Sequence, residues 1–181
     1  MSECTHDCSS CGSSCGERTE PQSLLQPLNS ASRVGKVIAV VSGKGGVGKS
    51  SLTAGLARAL SGAGKRVLML DMDIGLRSLD LIFGTQKDVL FDWGNVIDGG
   101  CEPNQAALAA GGPMLMTAPM RMSDSFTKES MKELADKLAK DYDYIFFDAP
   151  AGLSDGFELA CAAADRGIVV STADAVCVRS V

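Results

Sequence analysis

The sequence lacks several features that would indicate particular classes of protein. It contains no run of 18 apolar residues, so it predicts no membrane-spanning helix. Its N-terminus has no apolar segment of the kind that directs secretion, which predicts a cytoplasmic protein. Positive charge is scarce, with 17 lysines and arginines against 22 acidic residues, and the net charge of −5 gives no support for nucleic-acid binding.

The chain divides by composition into a tail and one domain. Residues 1–33 are rich in Cys, Ser, Gly and Pro and cannot bury enough apolar surface to fold alone without a metal. Residues 34–181 alternate between apolar runs typical of strands and helix-like segments, with strands expected at 36–42, 66–71, 113–118, 143–148 and 167–172. We therefore expect an α/β fold with a doubly wound, mostly parallel sheet and a ligand at the carboxyl ends of its strands.

A phosphate-binding loop of the pattern G-x-x-x-x-G-K-S/T occupies residues 43–50. An apolar run, 37–41, precedes it and a helix-like segment, Ser51 to Leu60, follows, so the strand–loop–helix context is present. Lys49 would reach the β- and γ-phosphates of a nucleoside triphosphate, and the Ser50 hydroxyl would bind Mg²⁺. The residues expected to contact the nucleotide are Gly43, Lys44, Gly45, Gly46, Val47, Gly48, Lys49, Ser50 and Ser51.

Acidic residues end two of the predicted strands. Asp71 ends strand 66–71 and Asp73 follows it. We expect this strand to neighbour the strand before the phosphate loop, although aspartate is also a common turn former at strand ends. Asp148 ends strand 143–148, an arrangement in which the carboxylate holds Mg²⁺ directly or through water. Gly152, shortly after it, could offer its N–H to the γ-phosphate.

The form K-G-G-V-G-K-S, which begins at Lys44, resembles the deviant Walker-A loop of the MinD/ParA/Mrp family of P-loop ATPases. The stretches 71–80 (D-M-D-I-G-L-R-S-L-D) and 148–152 (D-A-P-A-G) are similar to the MinD branch, the septum-site-determining ATPases, rather than to the Mrp branch. Ser78 stands where MinD proteins typically have asparagine. The resemblance runs from about Lys36 to Val181.

The resemblance implies an ATP-hydrolysing switch that closes as a homodimer across ATP and Mg²⁺ and acts through an unidentified protein partner, as a spatial regulator in cell division. Lys44 would contact the nucleotide of the partner subunit and, with Lys49 and Asp73, would act in catalysis. Asp73 would position the attacking water, and Asp71 would be a metal-side or structural acid. Family members continue for several further strands and helices, so we expect a fold that is truncated at the C-terminus. The C-terminal amphipathic helix through which MinD proteins contact membranes is not in this sequence, so membrane contact is not predicted.

Four of the seven cysteines lie within the first fifteen residues, as Cys4, Cys8, Cys11 and Cys15. Four closely spaced thiolates can hold Zn²⁺ or a cubane 4Fe–4S cluster, and the short spacing does not fit a zinc finger, so the cluster is the better fit. Similar extensions occur in Mrp-type ATPases, which makes an iron–sulfur cluster scaffold or carrier the alternative function. A tail with incidental cysteines stays open, as does a small-molecule enzyme related to amidotransferases, for which no substrate motif is present.

Replacing both Cys8 and Cys11 by serine should prevent cluster formation, because two of the four ligands are lost. Anaerobic reconstitution with iron and sulfide should give a broad visible absorbance in the unchanged chain and none in the double variant. Cys101→Ser is the matched control and should keep the absorbance. A colourless protein that holds one zinc ion tightly would contradict the cluster and weaken the carrier alternative.

Overall fold

A six-stranded, mostly parallel sheet organises residues 36–173, the part of the chain that the computed structural model describes. The strand order is β3-β4-β2-β5-β1-β6, and every neighbouring pair is parallel except β3 and β4. In chain order the strands are β1 (Lys36–Ser42), β2 (Val67–Asp71), β3 (Leu108–Ala109), β4 (Met114–Met116), β5 (Tyr144–Ala151) and β6 (Arg166–Val169).

Helices cover both faces of this sheet, which confirms the doubly wound arrangement. In chain order they are α1 (Lys49–Gly62), α2 (Leu79–Phe83), α3 (Trp93–Ile97), α4 (Pro103–Ala106), α5 (Lys128–Leu138) and α6 (Asp155–Ala163). Alternate strand residues enter two separate cores, because successive side chains of a strand point to opposite faces. Val37 and Leu68 pack in the core formed with α3, α5 and α6, whereas Val40 and Met69 pack in the core formed with α1 and α2.

The predicted strands correspond to β1, β2, β4, β5 and β6, with small differences at their ends. The short antiparallel strand β3 was not expected; its two residues pair with β4 and are too few to carry a periodic pattern. The expected adjacency of strand 66–71 to the strand before the phosphate loop is wrong, since β5 lies between β2 and β1. Chain order does not reveal this crossover.

Local sequence explains α5, the amphipathic helix on one face. Thr127 caps its start: the Thr127 hydroxyl accepts from the Ser130 N–H at 3.1 Å, and the Ser130 hydroxyl accepts from the Thr127 N–H at 2.9 Å. Met131, Leu134 and the other apolar residues at helical spacing are buried. Within residues 36–173, no helix has the length and hydrophobicity needed to cross a membrane.

Two glycines in helices should respond in opposite ways to replacement by alanine. A Cβ at Gly156 would collide with the Met72 carbonyl oxygen and crowd Pro150, so Gly156→Ala should lower the free energy of unfolding by about 1–3 kcal/mol. A Cβ at Gly55 would meet nothing within 4 Å, so Gly55→Ala should raise it by about 0.5–1 kcal/mol through helix propensity. Urea unfolding followed by circular dichroism measures both. Equal effects of the two changes would contradict the close packing of α6 against the loop after β2.

Candidate nucleotide-binding site

The carboxyl ends of β1, β5 and β2 meet at one edge of the sheet, and a cavity of about 340 Å³ opens there. Parallel strands bring their carboxyl ends to the same edge, so segments far apart in sequence share this cavity. Its lining comprises Gly45, Gly46, Gly48, Lys49, Ser50, Ser51, Asp73, Ser78, Asp148, Ala149, Pro150 and Ala151. The structure thus brings together most of the predicted site. Gly43, Lys44, Val47, Asp71 and Gly152 lie outside the lining.

The phosphate loop takes its shape from two glycines with left-handed backbone. Gly46 has φ of 77° and Gly48 has φ of 89°, and a Cβ at either would meet nothing within 4 Å. The need for glycine is therefore conformational rather than steric. Gly48 is also the N-cap of α1, where it has no side chain to satisfy the free N–H groups of the first turn. The helix start consequently presents N–H donors and the positive end of the helix dipole to the cavity.

Ser42, at the end of β1, holds Lys49 at the cavity. The Lys49 ammonium donates to Ser42 Oγ at 2.8 Å, and the Ser42 hydroxyl donates to the Lys44 carbonyl at 2.6 Å. Lys49 is buried and lines the cavity, whereas Lys44 is exposed and lies outside the cavity lining. The two lysines therefore have different surroundings, and Lys49 is the one that lines the cavity of its own chain.

Asp148 on β5 faces α1 across the cavity floor. Asp148 is 2% exposed, and its carboxylate accepts hydrogen bonds from the Ser50 side chain and from Thr53 Oγ1, the latter at 3.0 Å. Burial raises the pKa of Asp148 to about 6, although the hydrogen bond from Ser50 opposes this shift. No ion pair to Asp148 occurs within the described part of the chain. The result is a buried acid whose charged form the hydrogen bonds of Ser50 and Thr53 and the charge of Lys49 stabilise only in part.

The oxygen donors of Ser50 and Asp148 fit Mg²⁺, which prefers hard oxygen ligands and uses one or two protein groups together with phosphate and water. A buried, poorly compensated carboxylate is the kind of group that a cation stabilises. Within residues 36–173 no cluster of three or more His, Cys, Asp or Glu side chains suited to a metal occurs. Cys4, Cys8, Cys11 and Cys15, and the predicted boundary after residue 33, lie outside the described residues.

Asp71 and Asp73 have different environments although only one residue separates them. The Asp71 carboxylate is fully buried and accepts from the N–H groups of Asp73 at 2.9 Å, Ser78 at 2.6 Å and Leu79 at 2.9 Å. Burial raises its pKa, and the hydrogen bond from Leu79 is the largest opposing effect. Of the two roles predicted for Asp71, these contacts favour the structural one, because its oxygens are used to shape the loop.

Asp73 projects into the cavity. It is half-buried; burial raises its pKa and the charge of Lys49 lowers it. Asp73 also lines a second cavity of about 510 Å³, whose walls include Met120 and Met122. The Gly152 N–H donates to the Ser42 carbonyl at 3.3 Å, so contact with a γ-phosphate would require this bond to break.

Sequence reasoning missed the residues that support the site. Ser42 holds Lys49, and Thr53 reaches Asp148 from one turn further along α1. Trp93, on α3, donates from Nε1 to the Asp71 carbonyl at 2.8 Å. Of these residues, only Thr53 could have been predicted from local sequence, because it lies four residues after Lys49, one turn along the helix that follows the phosphate loop. The other contacts depend on the sheet order and on loop packing.

The chain is similar to P-loop NTPases of known families. The family model described as ParA, NUBPL iron-transfer P-loop NTPase, matches residues 33–181. Septum site-determining protein MinD of Bacillus subtilis is 36% identical over 151 residues, which are 81% of this chain and 56% of that protein. The chain therefore spans slightly more than half the length of this relative.

Solved structures agree with the sequence comparison. The MinC:MinD cell division protein complex of Aquifex aeolicus aligns with a TM-score of 0.70 at 34% identity, over 80% of this chain and 59% of that one. MinD of Pyrococcus horikoshii complexed with Mg-ADP aligns with a TM-score of 0.69 at 28% identity, over 80% of this chain and 61% of that one. These matches confirm both the fold class and the family resemblance predicted from the sequence.

Asp148→Asn should stabilise the protein when nucleotide and metal are absent. The raised pKa means that the charged carboxylate is less stable in the folded chain than in the unfolded chain. This penalty is absent below the ordinary pKa of 3.8 and develops as the pH rises to about 6.

The free energy of unfolding of the variant, measured in urea, should therefore exceed that of the unchanged chain by about 1–3 kcal/mol at about pH 7.5, and the difference should disappear near pH 4. Asp136→Asn, on the exposed face of α5, is the control and should change stability little. A gain that does not vary with pH would contradict the assignment.

Proposed function

Because this chain belongs to the ParA family of P-loop NTPases, we propose that it is an ATP-hydrolysing molecular switch of the MinD type. The observation that carries the proposal is the single cavity in which the phosphate loop, Asp73 and Asp148 meet. Each of these elements comes from a different strand end, and together they supply the groups that phosphoryl transfer to water requires.

Binding of the triphosphate rests on the loop after β1. The backbone N–H groups of residues 45–50 and the start of α1 would surround the phosphates, and Lys49 would contact the β- and γ-phosphates. Ser50 and Asp148 would hold Mg²⁺, which when bound neutralises phosphate charge. The proposal is consistent with the relative from Pyrococcus horikoshii, which was solved with Mg-ADP.

Hydrolysis requires a water in line with the γ-phosphorus. Asp73 would accept a hydrogen bond from this water and orient it. The water oxygen bonds to the γ-phosphorus, the bond from that phosphorus to the β–γ bridging oxygen breaks, and the water proton passes to the released phosphate. Lys49 would stabilise the charge that grows on the phosphate oxygens. The products are ADP and inorganic phosphate.

Lys44 supports a dimeric switch. Its side chain is exposed and lies outside the cavity lining, so within one chain it has no evident role at the phosphates. We propose that it reaches the nucleotide of a second copy when both copies hold ATP. In that state the dimer would bind a protein partner and act as a spatial regulator in cell division. The names of the relatives, a septum site-determining protein and a MinC:MinD complex, support this role.

An iron–sulfur cluster scaffold or carrier of the Mrp type is the second candidate. It is supported by Cys4, Cys8, Cys11 and Cys15 and by the iron-transfer description of the matching family model. Both candidates use the same ATP site, and they differ in what the switch controls. The reconstitution experiment with Cys8 and Cys11 variants separates them.

Lys44→Ala should retain ATP binding but lose ATP-dependent dimerisation and most hydrolysis. A cation supplied by the partner acts on the transition state as an arginine finger does, which is worth roughly 10³-fold or more in rate. Calorimetry measures binding, light scattering measures the dimer, and phosphate release measures hydrolysis. Lys49→Ala should instead abolish ATP binding, because charge-assisted contacts to phosphate contribute about 1.5–3 kcal/mol each.

A mixture of Lys44→Ala and Asp73→Ala chains tests whether Lys44 acts across the dimer. One site of the mixed dimer has an intact Asp73 and a partner Lys44, so the mixture should recover some hydrolysis that neither variant shows alone. Lys140→Ala, at an exposed position after α5, is the control and should behave as the unchanged chain. Undiminished hydrolysis by Lys44→Ala, with monomers in the presence and absence of ATP, would overturn the dimeric switch. Unchanged ATP affinity in Lys49→Ala would overturn the nucleotide site itself.

A further inference from the structure

The loop that carries Asp73 is fastened on both sides of that residue. On one side, the Asp73 N–H donates to the Asp71 carboxylate at 2.9 Å. On the other side, the Asp73 carbonyl accepts from the N–H groups of Leu76 and Arg77, each at 3.1 Å. The backbone of Asp73 is therefore enclosed in a short turn that ends at Arg77, and the direction of its carboxylate depends on how that turn is held.

Arg77 holds the turn against the rest of the protein. Its Nε donates to the Ala118 carbonyl at 2.7 Å, just after β4, and its guanidinium lies 3.6 Å from the Asp92 carboxylate. Arg77 has φ of 51°, and it is the one non-glycine residue with positive φ in the described part of the chain. A left-handed arginine is unfavourable in isolation, so its contacts with Ala118 and Asp92 maintain a conformation that the loop alone would not prefer.

We propose that Arg77 is a positioning residue for hydrolysis, which holds Asp73 at the orientation needed to direct water by bonding the turn to Ala118 and Asp92. The inference rests on the proposed ATPase function and adds a residue that does not touch the nucleotide: Arg77 is absent from the lining of the phosphate cavity. Its removal should therefore affect the chemical step more than it affects binding.

The chain contains an internal reporter of this arrangement. Trp93, its single tryptophan, is fully buried, follows Asp92 directly and donates to the Asp71 carbonyl at the base of the same loop. Loosening the loop should admit small quenchers to the indole even when the global fold is intact. Acrylamide quenching of tryptophan fluorescence therefore reports whether Arg77 still holds the loop, and the measurement does not require ATP.

Arg77→Asn is the main test, because asparagine tolerates left-handed backbone and the variant loses the guanidinium without added strain. We expect kcat for ATP hydrolysis to fall about 10- to 100-fold, as a misplacement of about 1 Å in a catalytic group does, while the Kd for Mg·ATP changes by less than about threefold. Trp93 quenching should rise, and the midpoint of thermal unfolding by circular dichroism should stay close to that of the unchanged chain.

Two further variants should reduce kcat by smaller amounts than Arg77→Asn does. Arg77→Lys keeps the positive charge but lacks the separate Nε and Nη donors that contact Ala118 and Asp92, so its kcat should lie between those of Arg77→Asn and the unchanged chain. Asp92→Asn removes only the ion pair and keeps the side-chain oxygen that caps α3, so its effect should be small, as expected for a partly exposed pair. Arg166→Ala, at an exposed position on β6, is the matched control and should change neither kcat nor quenching.

Wild-type kcat and quenching in Arg77→Asn would overturn the proposal. A parallel loss of ATP affinity, kcat and thermal stability would also overturn it, since that pattern indicates a general structural role. If the unchanged chain neither bound nor hydrolysed ATP, the proposed function would fail. The Trp93 comparison would then still decide whether Arg77 anchors the loop.

Discussion

The buried carboxylate of Asp148 lies where three parts of the fold meet, and the arrangement of the site depends on its contacts. Its side chain is within hydrogen-bonding reach of Ser50 and Thr53 on α1, and its backbone carbonyl accepts from the Met72 N–H at 3.0 Å. The phosphate loop, β5 and the loop of Asp73 are thereby joined at one residue. Because no cation of the described chain pairs with this acid, the folded protein bears a charge that a bound metal would compensate.

A second buried acid organises the other side of the cavity. Asp71 uses its carboxylate to order the loop that follows it, and Arg77 bonds the far end of that loop to Ala118, just after β4, and to Asp92. Asp73, between them, lies on the wall shared by the phosphate cavity and the more apolar cavity beside Met120. A shift of this loop would alter both cavities together, because one short segment forms part of each.

Sequence patterns predicted which segments of the chain meet at the cavity. The phosphate loop, Asp73 and Asp148 line one cavity, as their places after predicted strands indicated. The supporting contacts were not predictable. In the sequence, Ser42 is an ordinary residue at a strand end and Arg77 is a polar loop residue. Their contacts with Lys49 and Ala118 become visible only in the folded structure. The same applies to β2, which is separated from β1 by β5 although the two are consecutive in the chain.

The sequence by itself determined the α/β class, the family and the phosphate-binding loop, because these follow from short motifs and from hydrophobic periodicity. Tertiary structure alone decided the strand order, the different environments of Asp71 and Asp73, and the contacts of Arg77 with Ala118 and Asp92. The physical reason is that burial and hydrogen bonding between distant segments set the environment of each acid, and local sequence does not specify which segments will meet.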